Sequence, residues 1–192
     1  MSNCILFIDG ENFLHKVREI LKTEGLDQTK IDLAKIDLNT LIGEPLKGFK
    51  IKRKIFYASK IHFHPETKKK SEELIKFQRS LRNNLVNQGF EFVIAGNVRA
   101  QKIGKAVVFR EKGVDVKIAV DLVSLASKNI LYCALLCSSD SDLQPAVAEL
   151  RERKVEVVYL GFEANPNKGL SYTTNRTILL RNPEVTAACP KT

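Results

Sequence analysis

Four aspartates stand where chemistry collects in α/β proteins. Two of the most apolar runs of the chain, Cys4 to Ile8 and Leu131 to Cys137, end in acids, the first at Asp9 and the second at Asp140 and Asp142. Asp115 follows Lys112-Gly113-Val114 at a predicted helix start. Ligands of open α/β sheets gather beyond the carboxyl ends of the strands. Three separate stretches of chain can therefore deliver carboxylates to one rim. Each aspartate taken alone reads first as a helix cap, because helix N-termini attract acids. Taken together they repel: two carboxylates ~5 Å apart at an effective dielectric of about 20 interact by roughly 3 kcal/mol. A divalent cation relieves that repulsion, and hard oxygen donors with few or no His or Cys beside them favour Mg²⁺ or Mn²⁺ over Zn²⁺. The reaction such a centre serves best is phosphodiester hydrolysis, in which a metal acidifies the attacking water and shields the phosphate.

The elements that must position these acids follow from periodicity. Cys4 to Ile8 is a continuous apolar run, as expected of a strand covered on both faces. Phe13, Val17, Ile20 and Leu21 then recur at helical spacing up to a stop at Gly25. A shorter helical pattern covers residues 30–42 and breaks at Gly43 and Pro45, and a strand is predicted from Ile51 to Ala58. Leu74, Phe77, Leu81 and Leu85 mark one face of a basic amphipathic helix that closes at Gly89. Phe90 to Ala95 reads as a strand. Residues 96–113 are rich in glycine and bases, and periodicity leaves Ala106 to Phe109 open as a strand or hairpin arm. A core-facing helix (Ile118 to Ala126), the strand Leu131 to Cys137, a helix (Leu143, Val147, Leu150) and the strand Val155 to Leu160 follow. The remainder gives a helix-like stretch near Leu170, a short strand at Ile178 to Leu180 and a Pro-bearing tail. Strands alternating with helices mean α/β with a mainly parallel sheet.

At 192 residues the chain suits one domain, without repeat, linker or low-complexity segment. Its formal charge of +9 predicts an acidic partner, nucleic acid or an anionic membrane. The surplus is local: residues 47–82 carry twelve Lys and Arg against three acids, and the rest of the chain is balanced. A basic lobe is the functional reading and a solvated helix face the plain one. The four cysteines form no C-x-x-C pair and read as small buried hydrophobes, which points to a reducing, cytoplasmic setting. The five-residue N-terminal apolar run is far short of a signal peptide or a membrane span. Phosphate-cradling G-x-x-x-x-G-K-[ST] and G-x-G-x-x-G motifs are absent. His62-x-His64 has no third ligand in view, and His15 reads as a helix-surface or packing residue.

Three strings together carry a family pattern: Phe7-Ile8-Asp9-Gly10-Glu11-Asn12; Lys112-Gly113-Val114-Asp115-Val116 with Ala119-Val120-Asp121-Leu122; and Ser138-Ser139-Asp140-Ser141-Asp142-Leu143. In order and spacing they resemble the NYN domain family of the PIN-like nuclease superfamily, over a core of about residues 3–163 with 164–192 as a C-terminal extension of the same single domain. Ser139 stands where the family usually has Gly, and Leu143 where it usually has Phe. The resemblance implies a PIN-like three-layer α/β/α sandwich with a mainly parallel central sheet, a Mg²⁺ or Mn²⁺ site, and ribonuclease activity. It implies Asp9, Asp115, Asp140 and Asp142 as metal-binding acids and Asn12 as the polar residue that positions water or a neighbouring carboxylate. Asp121 matches too, but at about 100° per residue it points ~120° away from Asp115, as a structural helix acid would. The expected function is a metal-dependent endoribonuclease, with phosphates held by Lys52, Arg53, Lys54, Lys68, Lys69 and Lys70, aided by Arg99 and Lys102. RNA is placed ahead of DNA as partner, and no membrane is expected. The rival readings are a non-catalytic NYN module binding nucleic acid or protein, and a DNA structure-specific nuclease.

Overall fold

The computed structural model describes residues 3–63, 68–103 and 106–190, with the backbone alone over 99–103 and 106–111. Among the described residues seven strands form one sheet in the order β4-β3-β2-β1-β5-β6-β7. They are β1 (Asn3–Asp9), β2 (Lys50–Lys60), β3 (Glu91–Ile103), β4 (Ala106–Lys112), β5 (Cys133–Cys137), β6 (Glu156–Phe162) and β7 (Arg176–Leu180). All neighbours run parallel except β3 and β4, so six parallel strands carry one antiparallel edge. The α/β sandwich with a mainly parallel sheet is the architecture expected of a PIN-like fold.

Side-chain alternation on the two central strands divides the interior. Cys4, Leu6 and Ile8 of β1 and Cys133, Leu135 and Cys137 of β5 face one core, which is closed by α1 (Gly10–Thr23), α2 (Leu38–Gly43), α3 (Lys68–Asn87) and α7 (Asn182–Ala187). Ile5, Phe7, Ala134 and Leu136 face the other, closed by α4 (Val114–Ser127), α5 (Gln144–Glu152) and α6 (Lys168–Thr173). All four cysteines are buried and none is in a disulfide. Helix α1 forms because Phe13, Leu14, Val17, Ile20 and Leu21 share one stripe, each buried side chain contributing about 1.5–3 kcal/mol. It starts at Asp9, whose side chain accepts from the Asn12 amide, and stops before Gly25 at φ +69°.

The open stretch at 96–113 is a hairpin. Strand β3 continues to Ile103 and pairs antiparallel with β4, from Asn97 opposite Lys112 to Ile103 opposite Ala106. The return arm brings the chain back to the carboxyl edge of the sheet, where Gly113 turns into α4 at φ +99°. The helical pattern at 30–42 becomes two 3-10 turns, Gln28–Lys30 and Leu33–Lys35, followed by the six-residue α2. Near the C terminus Leu180, Val185, Ala188 and Cys189 enter the same core as α1.

Winding changes direction at β1. After it the chain builds β2, β3 and β4 outward on one side, then returns to lay β5, β6 and β7 on the other. The loops leaving β1 and β5 diverge to opposite faces, α1 to one and α5 to the other. Such a topological switch point leaves a crevice at the carboxyl ends of the two strands. Gly10 follows Asp9 at the carboxyl end of β1, so close to β2 that a methyl there would run into the Phe56 ring and the Tyr57 carbonyl. Gly10→Ala is expected to destabilise the protein by about 1–3 kcal/mol, seen as a melting temperature lower by about 2–4 °C per kcal/mol. A melting curve unchanged from the parent would show that this approach is not tight.

Candidate metal centre

The crevice holds the acids. One carboxylate oxygen from each of Asp115, Asp140 and Asp142 lies within 4.8 Å of the others. Asp140 and Asp142 come from the turn after β5. There Asp140 caps the 3-10 turn Ser141–Leu143, its Oδ1 accepting from the Asp142 amide at 2.9 Å. Asp115 occupies the first turn of α4, favourable for an anion beside the positive end of the helix dipole. Among the described residues, none of the three pairs with a Lys or Arg.

Asp9 stands behind this group. Alternation puts it on the β1 face of Ile5 and Phe7, the side on which α4 and α5 begin. It is 6% exposed. Its Oδ1 accepts from the Asn12 amide at 3.2 Å and its Oδ2 from the Ser138 hydroxyl at 3.1 Å. Burial first, and then the charges of Asp140 and Glu11, push its carboxyl up to about 6 against the pull of those two hydrogen bonds.

The turn carrying Asp140 and Asp142 is braced from three directions. The Ser138 hydroxyl donates to Asp9 and accepts from the Asp140 amide at 3.1 Å, which ties the ends of β1 and β5 together. The Asn12 side-chain oxygen accepts from the Ser139 amide at 3.0 Å. Asn167 donates from Nδ2 to the Ser139 carbonyl at 2.8 Å while its Oδ1 caps α6, and its own amide donates to the Tyr159 hydroxyl. Nothing in the sequence pattern marks Tyr159 as part of this brace, and Ser138, although it opens the Ser138-to-Leu143 string, gives no sign there of its bond to Asp9. Asn167 carries one signal, its place just before the Leu170 helix, a capping position that also faces the Ser139 turn.

Asp121 stands apart from the three convergent acids. It accepts from the Tyr57 hydroxyl at 2.9 Å and from Lys117 at 2.5 Å. The basic segment separates into two groups. Strand β2 pairs Arg53 with Ile5 and Lys54 with Leu6, whereas Asp9 stands opposite Tyr57, so the Lys52-Arg53-Lys54 stretch lies about 13 Å back along the strand at ~3.3 Å per residue. Arg53 forks onto Glu91 with two bonds of 2.7 Å. Lys54 donates to Asn39 and to the Gln88 carbonyl and lies over the Phe90 ring, and burial lowers its pKa. Lys68, Lys69 and Lys70 open α3 on the exposed surface, with no acid in that first turn. Arg99 and Lys102 belong to β3 by backbone, and their side chains lie outside the described residues. His62 is exposed and contacts Asn97 at 3.1 Å, His15 is exposed on α1 beside Glu19, and His64 lies outside the described residues.

The donor set fits Mg²⁺ or Mn²⁺. It is all carboxylate, without His or Cys in the group, and its charge has no protein counter-ion among the described residues. A winding α/β/α sandwich with acids gathered at its switch point defines the class, a PIN-like nuclease fold. Within it the chain belongs to the NYN domain family, whose model matches residues 3–180. A solved protein of unknown function from Vibrio parahaemolyticus shares the fold at a TM-score of 0.64 and 17% identity, over 93% of each chain. No curated protein matches the chain. No helix of the described residues is long and apolar enough to cross a membrane.

Proposed function

We propose that the protein is a metal-dependent endoribonuclease. The observation that carries this reading is the convergence of Asp115, Asp140 and Asp142 at the switch point, with buried Asp9 behind them and, among the described residues, no Lys or Arg paired with the three. Asp115, Asp140 and Asp142 hold the ion, and Asp9 is the fourth acid of the set. Bound there, Mg²⁺ or Mn²⁺ supplies a Lewis acid that lowers the pKa of the attacking water and screens the phosphate. Asn12 and Ser138 are positioning residues, fixing the turn that carries Asp140 and Asp142. The lysines that open α3 contribute salt-dependent affinity for the phosphate backbone, which the acidic centre would otherwise repel. Single-stranded RNA is the substrate of this reading, DNA the second choice. The buried cysteines, none of them in a disulfide, suit the reducing cytoplasm in which we place it.

A mixed pool of single-stranded RNA incubated with the protein and Mn²⁺ should be cleaved, and chelation should stop the reaction. Cleavage that survives chelation overturns the proposal. Absence of both cleavage and metal-induced stabilisation favours a non-catalytic binding module, and faster cleavage of DNA of the same sequence at equal salt reassigns the substrate.

A further inference from the structure

Across the β1 rim from the acids, on the α1 and α3 face of the sheet, a cleft of about 430 Å³ opens between those helices. Its size lies within the range of about 300–1,000 Å³ typical of small-ligand sites. The floor is aromatic: Phe56 and Phe92 stack with ring centroids 5.5 Å apart, and Phe77 closes one side together with Leu74. Polar groups are few and placed at its edges. The Arg18 guanidinium lies 5.8 Å from the Phe77 ring centroid, Lys70 and Glu11 line the cleft, and Gln78 is held by a 2.8 Å bond from its Nε2 to the Ser59 carbonyl. Gly10 and Glu11 belong to its wall, and Gly10 directly follows Asp9, so cleft and carboxylates share one turn of chain.

We propose that this cleft receives one unstacked nucleobase of the single-stranded substrate, from a nucleotide next to the phosphate held at the acids. The proposal rests on the nuclease reading above and deepens it. Sequence-tolerant recognition of single strands works by stacking bases on aromatic side chains while cations follow the backbone. The cleft supplies both: the half-buried rings of Phe77 and Phe92 inside, backed by buried Phe56, and Arg18 and Lys70 at its edge with exposed Lys68 and Lys69 beside Lys70 on α3. A purely apolar occupant would gain nothing from those cations. A base carries the phosphates that do, and its polar edge suits the Gln78 carboxamide and the Glu11 carboxylate.

The test uses the full chain carrying Asp140→Asn, so that RNA binds without being cut, and a ten-nucleotide single-stranded RNA with 2-aminopurine at one position at a time. One position should change its fluorescence several-fold on binding, as its base leaves its neighbours in the strand for the cleft. Leu74→Trp, which fills the cleft, should abolish that change and weaken binding about tenfold, the order expected for one stacked base. Phe77→Leu removes a ring but keeps apolar bulk; it carries the same expectation and decides the matter if the larger substitution misfolds. Equal binding by parent and both variants, or no position whose fluorescence changes, overturns the proposal and leaves the cleft to a protein partner. The underlying reading fails separately, through absence of Mn²⁺-dependent RNA cleavage by the unsubstituted chain.

Discussion

Asp140→Asn is expected to lower Mn²⁺-dependent RNA cleavage by at least about 100-fold, since even residues one step removed from a metal cost about 10–100-fold when replaced. The chain should stay folded. Asparagine retains a side-chain oxygen for the Asp142 amide and is as good a cap as aspartate, and the Asp140 main-chain bond to Ser138 does not involve the carboxylate. Without metal the variant should melt no lower than the parent, because it removes one of three mutually repelling charges and one of the charges that oppose ionisation of Asp9. With saturating Mn²⁺ the order should reverse, the parent gaining stability by mass action and the variant gaining little. Asp121→Asn is the control further along α4: it weakens an ion pair and a hydrogen bond to Tyr57, an effect of about 1 kcal/mol, and should leave cleavage within a few-fold of the parent. Cleavage retained in Asp140→Asn, or equal loss in Asp121→Asn, would remove Asp140 from the metal set.

Asp140 is legible in the sequence, and other features are not, for a physical reason. β1 and β5 are buried on both faces, so their sequences are unbroken apolar runs, and the first polar residue after each marks the rim. The hairpin β3–β4 lacks that signature: β3 outruns its parallel partner after Asn97, and beyond that point its register is set by β4 alone. Helix α7 is only six residues long and contains Pro183, tolerated in the first turn of a helix but easily read as a breaker.

The basic segment illustrates a different limit. Residues 47–82 are contiguous in sequence, but the eleven-residue β2 runs through their middle and carries the chain across the whole sheet, about 36 Å at 3.3 Å per residue. Lys52 and its neighbours therefore sit towards the amino end of β2, where Arg53 and Lys54 are engaged by Glu91, Asn39 and Gln88. Lys68, Lys69 and Lys70 follow its carboxyl end. Charge counted along a sequence cannot show that a strand intervenes. Three lysines at the positive end of α3, with no acid in that turn, break a local rule of helix design, and such breaches concentrate at functional surfaces.

Asp9 sets the second large effect, on stability rather than rate. In the metal-free protein its carboxyl titrates at about 6, against an ordinary value of 3.8 that the unfolded chain retains. Between those two values the folded state still binds a proton that the unfolded state has released, so the slope of stability with pH is negative. The metal-free protein should lose stability as pH rises from about 4 to about 6 and then level off, by a total of about 3 kcal/mol. Asp27 and Asp37 act in the opposite sense, since the Thr29 and Thr40 hydroxyls and amides hold them low and their contribution is lost only as pH falls below the ordinary carboxylate range. The difference between parent and Asp9→Asn isolates the Asp9 contribution, because asparagine can still cap α1 through the Asn12 amide. Denaturant unfolding at intervals from about pH 4 to about pH 8 should show the parent losing ground to Asp9→Asn across that window. Saturating Mn²⁺ should reverse the trend in the parent alone, since an ion bound at these acids favours ionised Asp9 and its stabilisation grows through about pH 6. Parallel curves for the two proteins without metal would show that Asp9 is not held protonated. Parallel curves with metal would mean that the ion does not sense Asp9, and would confine the metal set to Asp115, Asp140 and Asp142.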